Sequence, residues 1–207
     1  MTRTSRHLTM GFIVTLGLAG VGRTASADRT EPLTIALWVH DTAQVPDAVL
    51  TRAQAEVTGI YRQAGVEIMW RASSSSSVDT DADRESRLTI AILSYDQAKR
   101  LSPELIRDAV GVALSSATSR SHVAYVFYHR VENLTGGNGF NLAPVLAIAM
   151  AHEVGHLLLP YSSHSMTGLM RAKWTKADLQ LAQRGLLFFT AEQAKLIRSR
   201  MAASRQQ

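Results

Sequence analysis

The stretch AHEVGHLLLPYSSHSMTGLM, Ala151 to Met170, places three histidines, one glutamate and two methionines within twenty residues. It continues an apolar run, and Leu142 to Leu159 is apolar nearly all round, the pattern of a buried helix. Asn141 offers an N-cap and Pro144 is tolerated in a first turn, so the helix is expected to start there. On it His152 and His156 are four residues apart, which puts both imidazoles on one face, one turn apart, able to bind one metal ion. Glu153 is displaced by about 100° around the axis, close enough to reach a metal-bound water without being a first-choice ligand.

The residue types suit hydrolysis. Zinc held by three neutral ligands lowers the pKa of its water to about 7, a nearby carboxylate takes that proton, and the hydroxide attacks a carbonyl polarised by the same ion. Glu153 then passes the proton to the leaving amine. The plain alternative is a helix whose two histidines and glutamate merely found hydrogen bonds. Against it, glutamate is rarely buried unless paired, and three polar residues in the most apolar helix of the chain are costly unless used.

A catalytic zinc needs a third protein ligand. Pro160 disfavours further helix and Tyr161-Ser-Ser163 can turn the chain back, bringing His164 toward the first two histidines; Glu192 and Asp178 are the other candidates. With His152-Glu153-x-x-His156, His164-Ser165 and Gly168-Leu169-Met170, the sequence resembles the metzincin clan of zinc metallopeptidases, and within it the matrixin-like pattern. The resemblance implies His152, His156 and His164 as zinc ligands and Glu153 as general base. It also implies Met170 in a Met-turn, forming the apolar floor beneath the metal without binding it. The fold it implies is α+β and zincin-like: a twisted mixed sheet, an active-site helix and a mainly helical C-terminal part. The chain departs from the clan between the second and third histidines. His164 follows His156 by eight residues, a longer gap than the clan's, Leu159 stands where the clan has glycine, and Met170 comes only six residues after His164. The turn is therefore expected to have its own geometry.

Upstream, Leu33 to His40 is rich in β-branched and large apolar residues and reads as a strand. Asp47 to Ala64 reads as a helix, because Val49, Ala53, Val57, Ile60 and Ala64 recur at three- and four-residue spacing and Gly65 follows as a stop. Val66 to Trp70 reads as the second strand, and this strand–helix–strand order predicts a parallel pair. Leu88 to Leu93 and His122 to Val131 are further strands, the latter with Val123, Tyr125, Phe127 and His129 on one face, and Pro103 to Ala109 is a short helix between them. The glycines of Thr135 to Gly139 break the chain before the motif helix. Thr190 to Met201 reads as a final helix, its start marked by a capping box of Thr190 and Gln193.

Residues 72–86 lack periodicity and read as an exposed loop. Asp79, Asp81 and Asp83 have the spacing that opens an EF-hand, but Arg84 stands where the turn needs glycine and Ile90 where the bidentate glutamate belongs, so a solvated loop is preferred to a structural calcium site. His40, His122 and His129 read as ordinary strand or surface residues, and Trp174 as core packing in preference to a residue lining the cleft.

Residues 1–27 read as a secretory signal peptide: Arg3, Arg6 and His7 precede the apolar run Leu8 to Val21, and Ala25-Ser26-Ala27 offers a cleavage site. That run is shorter than the roughly 20 residues a spanning helix needs. Its removal takes Arg3, Arg6 and Arg23 and no acid, lowering the basic count from 22 to 19 against 17 acidic residues, so the whole-chain charge of +5 falls to +2. The clustered basic surface that nucleic-acid binding needs is then missing. The chain has no cysteine, which excludes disulfides and thiolate zinc sites and leaves His, Asp and Glu as metal ligands. Its 207 residues, 46% hydrophobic and 19% charged, are ordinary globular values, and residues 28–207 are expected to form one zinc metallopeptidase-like domain.

The expected protein is a secreted or periplasmic zinc-dependent endopeptidase, with Zn2+ as cofactor and a peptide or protein as substrate. No nucleic-acid partner and no stable membrane insertion after signal removal are expected, and no pattern in the chain specifies an oligomeric state. Substrate is expected to lie along an edge strand, His122 to Tyr128, by strand addition. The alternatives are a non-catalytic zinc-binding or protein-interaction module derived from a metallopeptidase fold, and a metallohydrolase with a non-peptide substrate.

Overall fold

Alternation sends Ile35 and Leu37 to the interior and makes Leu33–Asp41 the first strand, β1. The computed structural model describes residues 32–72, 88–101, 109–115, 122–137, 139–160 and 163–204. The expected signal peptide at 1–27, the aspartates at 79, 81 and 83, and all but the last residue of the helix expected at 103–109 lie outside them.

After β1 come α1 (Asp47–Gln63), β2 (Val66–Ala72), β3 (Leu88–Leu93) and α2 (Tyr95–Leu101). Then follow β4 (Gly111–Ser115), β5 (His122–Phe127), α3 (Tyr128–Thr135), α4 (Leu142–Leu158), α5 (Lys176–Gln183) and α6 (Ala191–Ser204). The five strands form one sheet in the order β2-β1-β3-β5-β4. β1 pairs in parallel with β2 and β3, and β3 with β5; β4 alone runs antiparallel, on the outer side of β5. The architecture is mixed α+β with a mostly parallel sheet.

α1 forms where the periodicity predicts, burying Ala53, Val57, Ile60 and Tyr61. It stops because Gly65 takes φ +82°, where a side chain is strained, and a Cβ there would stand 2.8 Å from Arg198 Cδ. Arg198 instead donates from Nη1 to Ala64 O at 2.8 Å, which ties α6 to the end of α1.

α4 is the centre of the molecule: every residue from Ala143 to Leu158 is buried except His156. It packs against α1 and across β3, β4 and β5, and Tyr61 Oη donates to Ala151 O at 3.0 Å, one residue before the motif. Ile90, Ile92, Ala124 and Val126 are fully buried in the same core. Asn141 stands at the N-cap position, yet its side chain makes no capping bond. Its backbone is held from outside by Gln183 of α5, whose Oε1 accepts from Asn141 N at 2.8 Å while Nε2 donates to Asn141 O at 3.0 Å. Among the described residues no helix is long and apolar enough to cross a membrane.

Two expectations are corrected. The strand beginning at His122 ends at Phe127, and Tyr128 to Val131 are helical, because Tyr128 and Val131, three residues apart, both bury against α4. Within β5, Ala124, Val126 and Phe127 are buried while Val123 and Tyr125 are half-buried. β5 lies between β3 and β4 and has no free edge, so it cannot accept a peptide as an added strand; the edge strands of the described sheet are β2 and β4, and of these β4 is the one beside Glu153.

Candidate metal centre

The helical rise carries His152 and His156 to one face of α4, with Nε2 atoms 3.0 Å apart. Leu159 N donates to Gly155 O at 2.9 Å as the last helical bond, Pro160 ends the run, and from Ser163 onward the chain lies back against the helix. His164 thereby joins the pair, its ring centroid 5.4 Å from that of His152 and 4.7 Å from that of His156. One ligand atom from each of the three lies within 4.8 Å of the others.

A hydrogen bond to a carbonyl selects the tautomer of His152. His152 Nδ1 donates to Leu169 O at 2.9 Å; a carbonyl only accepts, so in the neutral ring the proton sits on Nδ1 and Nε2 presents a lone pair. His156 Nδ1 lies 3.0 Å from Ser163 Oγ, which leaves its Nε2 to meet that of His152. Burial lowers both histidines from the usual 6.5 to about 4, with the neighbouring histidine charges adding to it, so both rings are neutral at pH 7. Ser163 Oγ can donate or accept, so His156 Nε2 either donates to the His152 Nε2 lone pair or offers a second lone pair to a shared cation. The spacing suits two ligands of one ion, since tetrahedral angles at about 2.0–2.1 Å place nitrogens roughly 3.3 Å apart. The donor set therefore fits a divalent transition metal, and imidazole serves zinc, copper, iron and nickel alike.

Glu153 is 5% exposed and points to the sheet side of the helix, against Gly111 of β4. A Cβ on Gly111 would stand 2.7 Å from Glu153 Cγ and 2.3 Å from Tyr125 O, so glycine is what lets the carboxyl pack beneath this strand. Burial pushes the Glu153 carboxyl up to about 8. Met170 is fully buried under the turn that carries both histidines: a Cβ on Gly155 would meet its Sδ at 2.7 Å and Phe189 Cε1 at 3.0 Å.

Asp178 lies apart from the cluster. Burial raises its carboxyl, but hydrogen bonds from Thr175 Oγ1 and N and the charge of Arg171 outweigh that and hold it below the usual range. Glu192 is exposed in the first turn of α6. Among the described residues only His152, His156 and His164 form a group that can hold a metal. His122 Nδ1 meets Ser115 Oγ at 3.1 Å, and His129 packs edge-on to Tyr95 and over Phe127.

Three neighbours of the site carry no spacing signal. Trp174 is more than core packing: its Nε1 donates to Leu169 O at 3.0 Å, the carbonyl that also holds His152, and its ring meets the His152 ring edge-on at 5.4 Å. The Leu169 carbonyl itself and the Ser163 hydroxyl complete the shell that orients the ligands.

The titrations give a pH prediction for the metal-free chain. Between about 4 and 6.5 the unfolded chain protonates His152 and His156 while the folded chain does not, so stability rises with pH. Glu153 acts oppositely: between 4.5 and about 8 the folded chain holds the extra proton, so stability falls as pH rises. Two histidines outweigh one glutamate below 6.5 and Glu153 acts alone above it, so melting temperature in chelator is expected to peak near pH 6.5. Melts at pH 5, 6.5 and 8 check this, and a maximum at either end refutes the assignment.

No family model matches the chain, and no curated protein does. Among solved structures it is similar to the solution structure of TM1509 from Thermotoga maritima, at 10% identity and a TM-score of 0.36, over 82% of this chain and 93% of that one. A likeness that distant identifies neither a family nor an activity.

Proposed function

We propose that the protein is an exported zinc-dependent endopeptidase of metzincin-like fold, with His152, His156 and His164 as the zinc ligands and Glu153 as general base. The observation that carries the reading is the convergence of three histidine nitrogens within 4.8 Å, two of them on neutral rings whose Nδ1 atoms are already engaged. Zinc bound there supplies Lewis acidity, polarising a substrate carbonyl and making a water more acidic. The charge of a bound cation would oppose the effect of burial and ionise Glu153, whose carboxylate would take the proton of the attacking water and return it to the leaving amine. Burial of Glu153 beneath Gly111 excludes competing solvent, and Met170 keeps the histidine-bearing turn in register from below. Substrate peptide adds to the free edge of β4, beside Gly111 and hence beside Glu153, with main-chain hydrogen bonds giving affinity. The mixed sheet, the helix bearing the motif and the helical C-terminal part support the zincin arrangement, and the leader-like residues 1–27 support export.

The test is metal content and peptide-library hydrolysis on purified protein. One zinc per chain in the wild type, a substoichiometric content in His164→Ala, and chelator-sensitive cleavage are the expected results. Zinc without cleavage of any peptide favours the non-catalytic module, and no zinc under replete conditions rejects the centre altogether.

A further inference from the structure

On the reading of the three histidines as a metal centre, we propose that Gln193 is the positioning residue of His164. Its one amide holds both chain neighbours of that histidine and so sets where the third imidazole stands relative to the two on α4. His164 needs such a device. It is exposed, it lies beyond a proline, and the loop that carries it is longer than a metzincin turn.

The loop has bonds of its own: Ser165 N donates to Met170 O at 2.9 Å, Ser165 Oγ to Thr167 O at 2.8 Å and Arg171 N to Gly168 O at 3.2 Å. These fix its shape and not its place against the helix. Leu169 O and Ser163 Oγ meet His152 and His156 on α4, and each of these two contacts is backed from behind: Leu169 N donates to Phe188 O at 2.8 Å, and Ser163 is held by Gln193. Gln193 Nε2 donates to Ser163 O and to Ser165 Oγ, both at 3.1 Å. Those two residues flank His164, and Ser163 also meets His156 Nδ1, so the amide braces two ligands through one residue.

The orientation of the amide follows from its partners. Oε1 accepts from Thr190 N at 3.0 Å, a group that only donates, and Nε2 faces Ser163 O, a group that only accepts, so the amide cannot be reversed. Both amide hydrogens and the oxygen are used, as burial at 7% exposure requires. A capping box accepts glutamate as readily as glutamine at this position, so helix start does not explain the amide. Glutamate would turn a carboxylate oxygen toward the Ser163 carbonyl, acceptor against acceptor; the clamp, not the cap, selects glutamine.

Two variants separate these roles. Gln193→Glu keeps the cap and removes the clamp. Thr190→Val removes the hydroxyl that accepts from Gln193 N at 3.3 Å and keeps the clamp. Zinc affinity, measured by competition with a chromophoric chelator, is expected to fall about 10–100-fold in Gln193→Glu, the usual effect of losing a residue that orients a ligand. In Thr190→Val it stays near the wild-type value although the metal-free protein melts earlier. Wild-type affinity in Gln193→Glu, or an equal loss in Thr190→Val, overturns the proposal. Hydrogen exchange at the Ser165 amide in chelator provides a readout that needs no metal. If the wild type binds no zinc, the metal-centre reading fails by itself, and exchange still decides the clamp: faster in Gln193→Glu than in Thr190→Val upholds it, equal rates refute it.

Discussion

Glu153→Gln is expected to retain one zinc per chain and to hydrolyse peptides about 10²–10⁴-fold more slowly than the wild type, the range for loss of a general base. The substitution keeps volume and shape in a site 5% exposed and packed beneath Gly111, so the fold has no reason to change. It removes only the ability to take a proton. Because the proposed ligands are three imidazoles, metal stoichiometry is independent of this side chain, and elemental analysis on the same preparation separates a lost base from a lost ligand. Wild-type turnover in the variant rejects the general-base role, whereas loss of zinc assigns Glu153 to the coordination sphere instead. A second signature follows from burial. The carboxyl is pushed up to about 8 and destabilises the metal-free fold as pH rises toward that value; glutamine carries no charge, so the alkaline fall in melting temperature is expected to vanish.

What the sequence makes legible depends on whether a residue's environment is local. The α1 boundaries and the parallel pairing of β1 with β2 follow from apolar spacing and from Gly65, whose backbone alone demands glycine. α4 announces itself by being apolar on every side, and the four-residue spacing of His152 and His156 fixes their common face. β4 was not visible: Gly-Val-Ala-Leu-Ser has no strong alternation, and it is a strand because β5 offers an edge to pair with. The end of β5 is hidden for a related reason. Val126 to Val131 is full of strand-forming residues, and only the packing of Tyr128 and Val131 on α4 makes the second half helical. At the site, spacing identifies His152 and His156, and the turn after Pro160 with the metzincin resemblance points to His164, but the groups that orient them carry no such signal. The Leu169 carbonyl has no side-chain signature, Trp174 reads as any core aromatic, and Gln193 was recognised only as a helix start because its other two partners are 28 and 30 residues away.

Gly111→Ala is the substitution expected to unsettle the fold most, with a loss of about 3 kcal/mol, the upper end for forcing an extra carbon into a packed interior. The added Cβ would stand 2.3 Å from Tyr125 O, and backbone cannot swing aside as a side chain can. β4 must move away from β5, and the ladder from Gly111↔Val126 to Ser115↔His122 opens at its start, where Phe127 N also donates to Val110 O at 2.8 Å. The same Cβ meets Glu153 Cγ at 2.7 Å, so the strand and the carboxyl are displaced together. For a chain of this size the loss corresponds to a fall in melting temperature of roughly 6–12 °C. Below that temperature the variant is still folded, and its zinc content is expected to match the wild type, since none of the three histidines touches β4's new contact. Peptide hydrolysis is expected to fall all the same, because the base and the proposed substrate edge have both shifted. A variant that melts with the wild type shows that β4 tolerates the carbon and that Gly111 is not the contact between edge strand and helix. One that loses zinc in proportion to activity ties the strand to the metal rather than to Glu153.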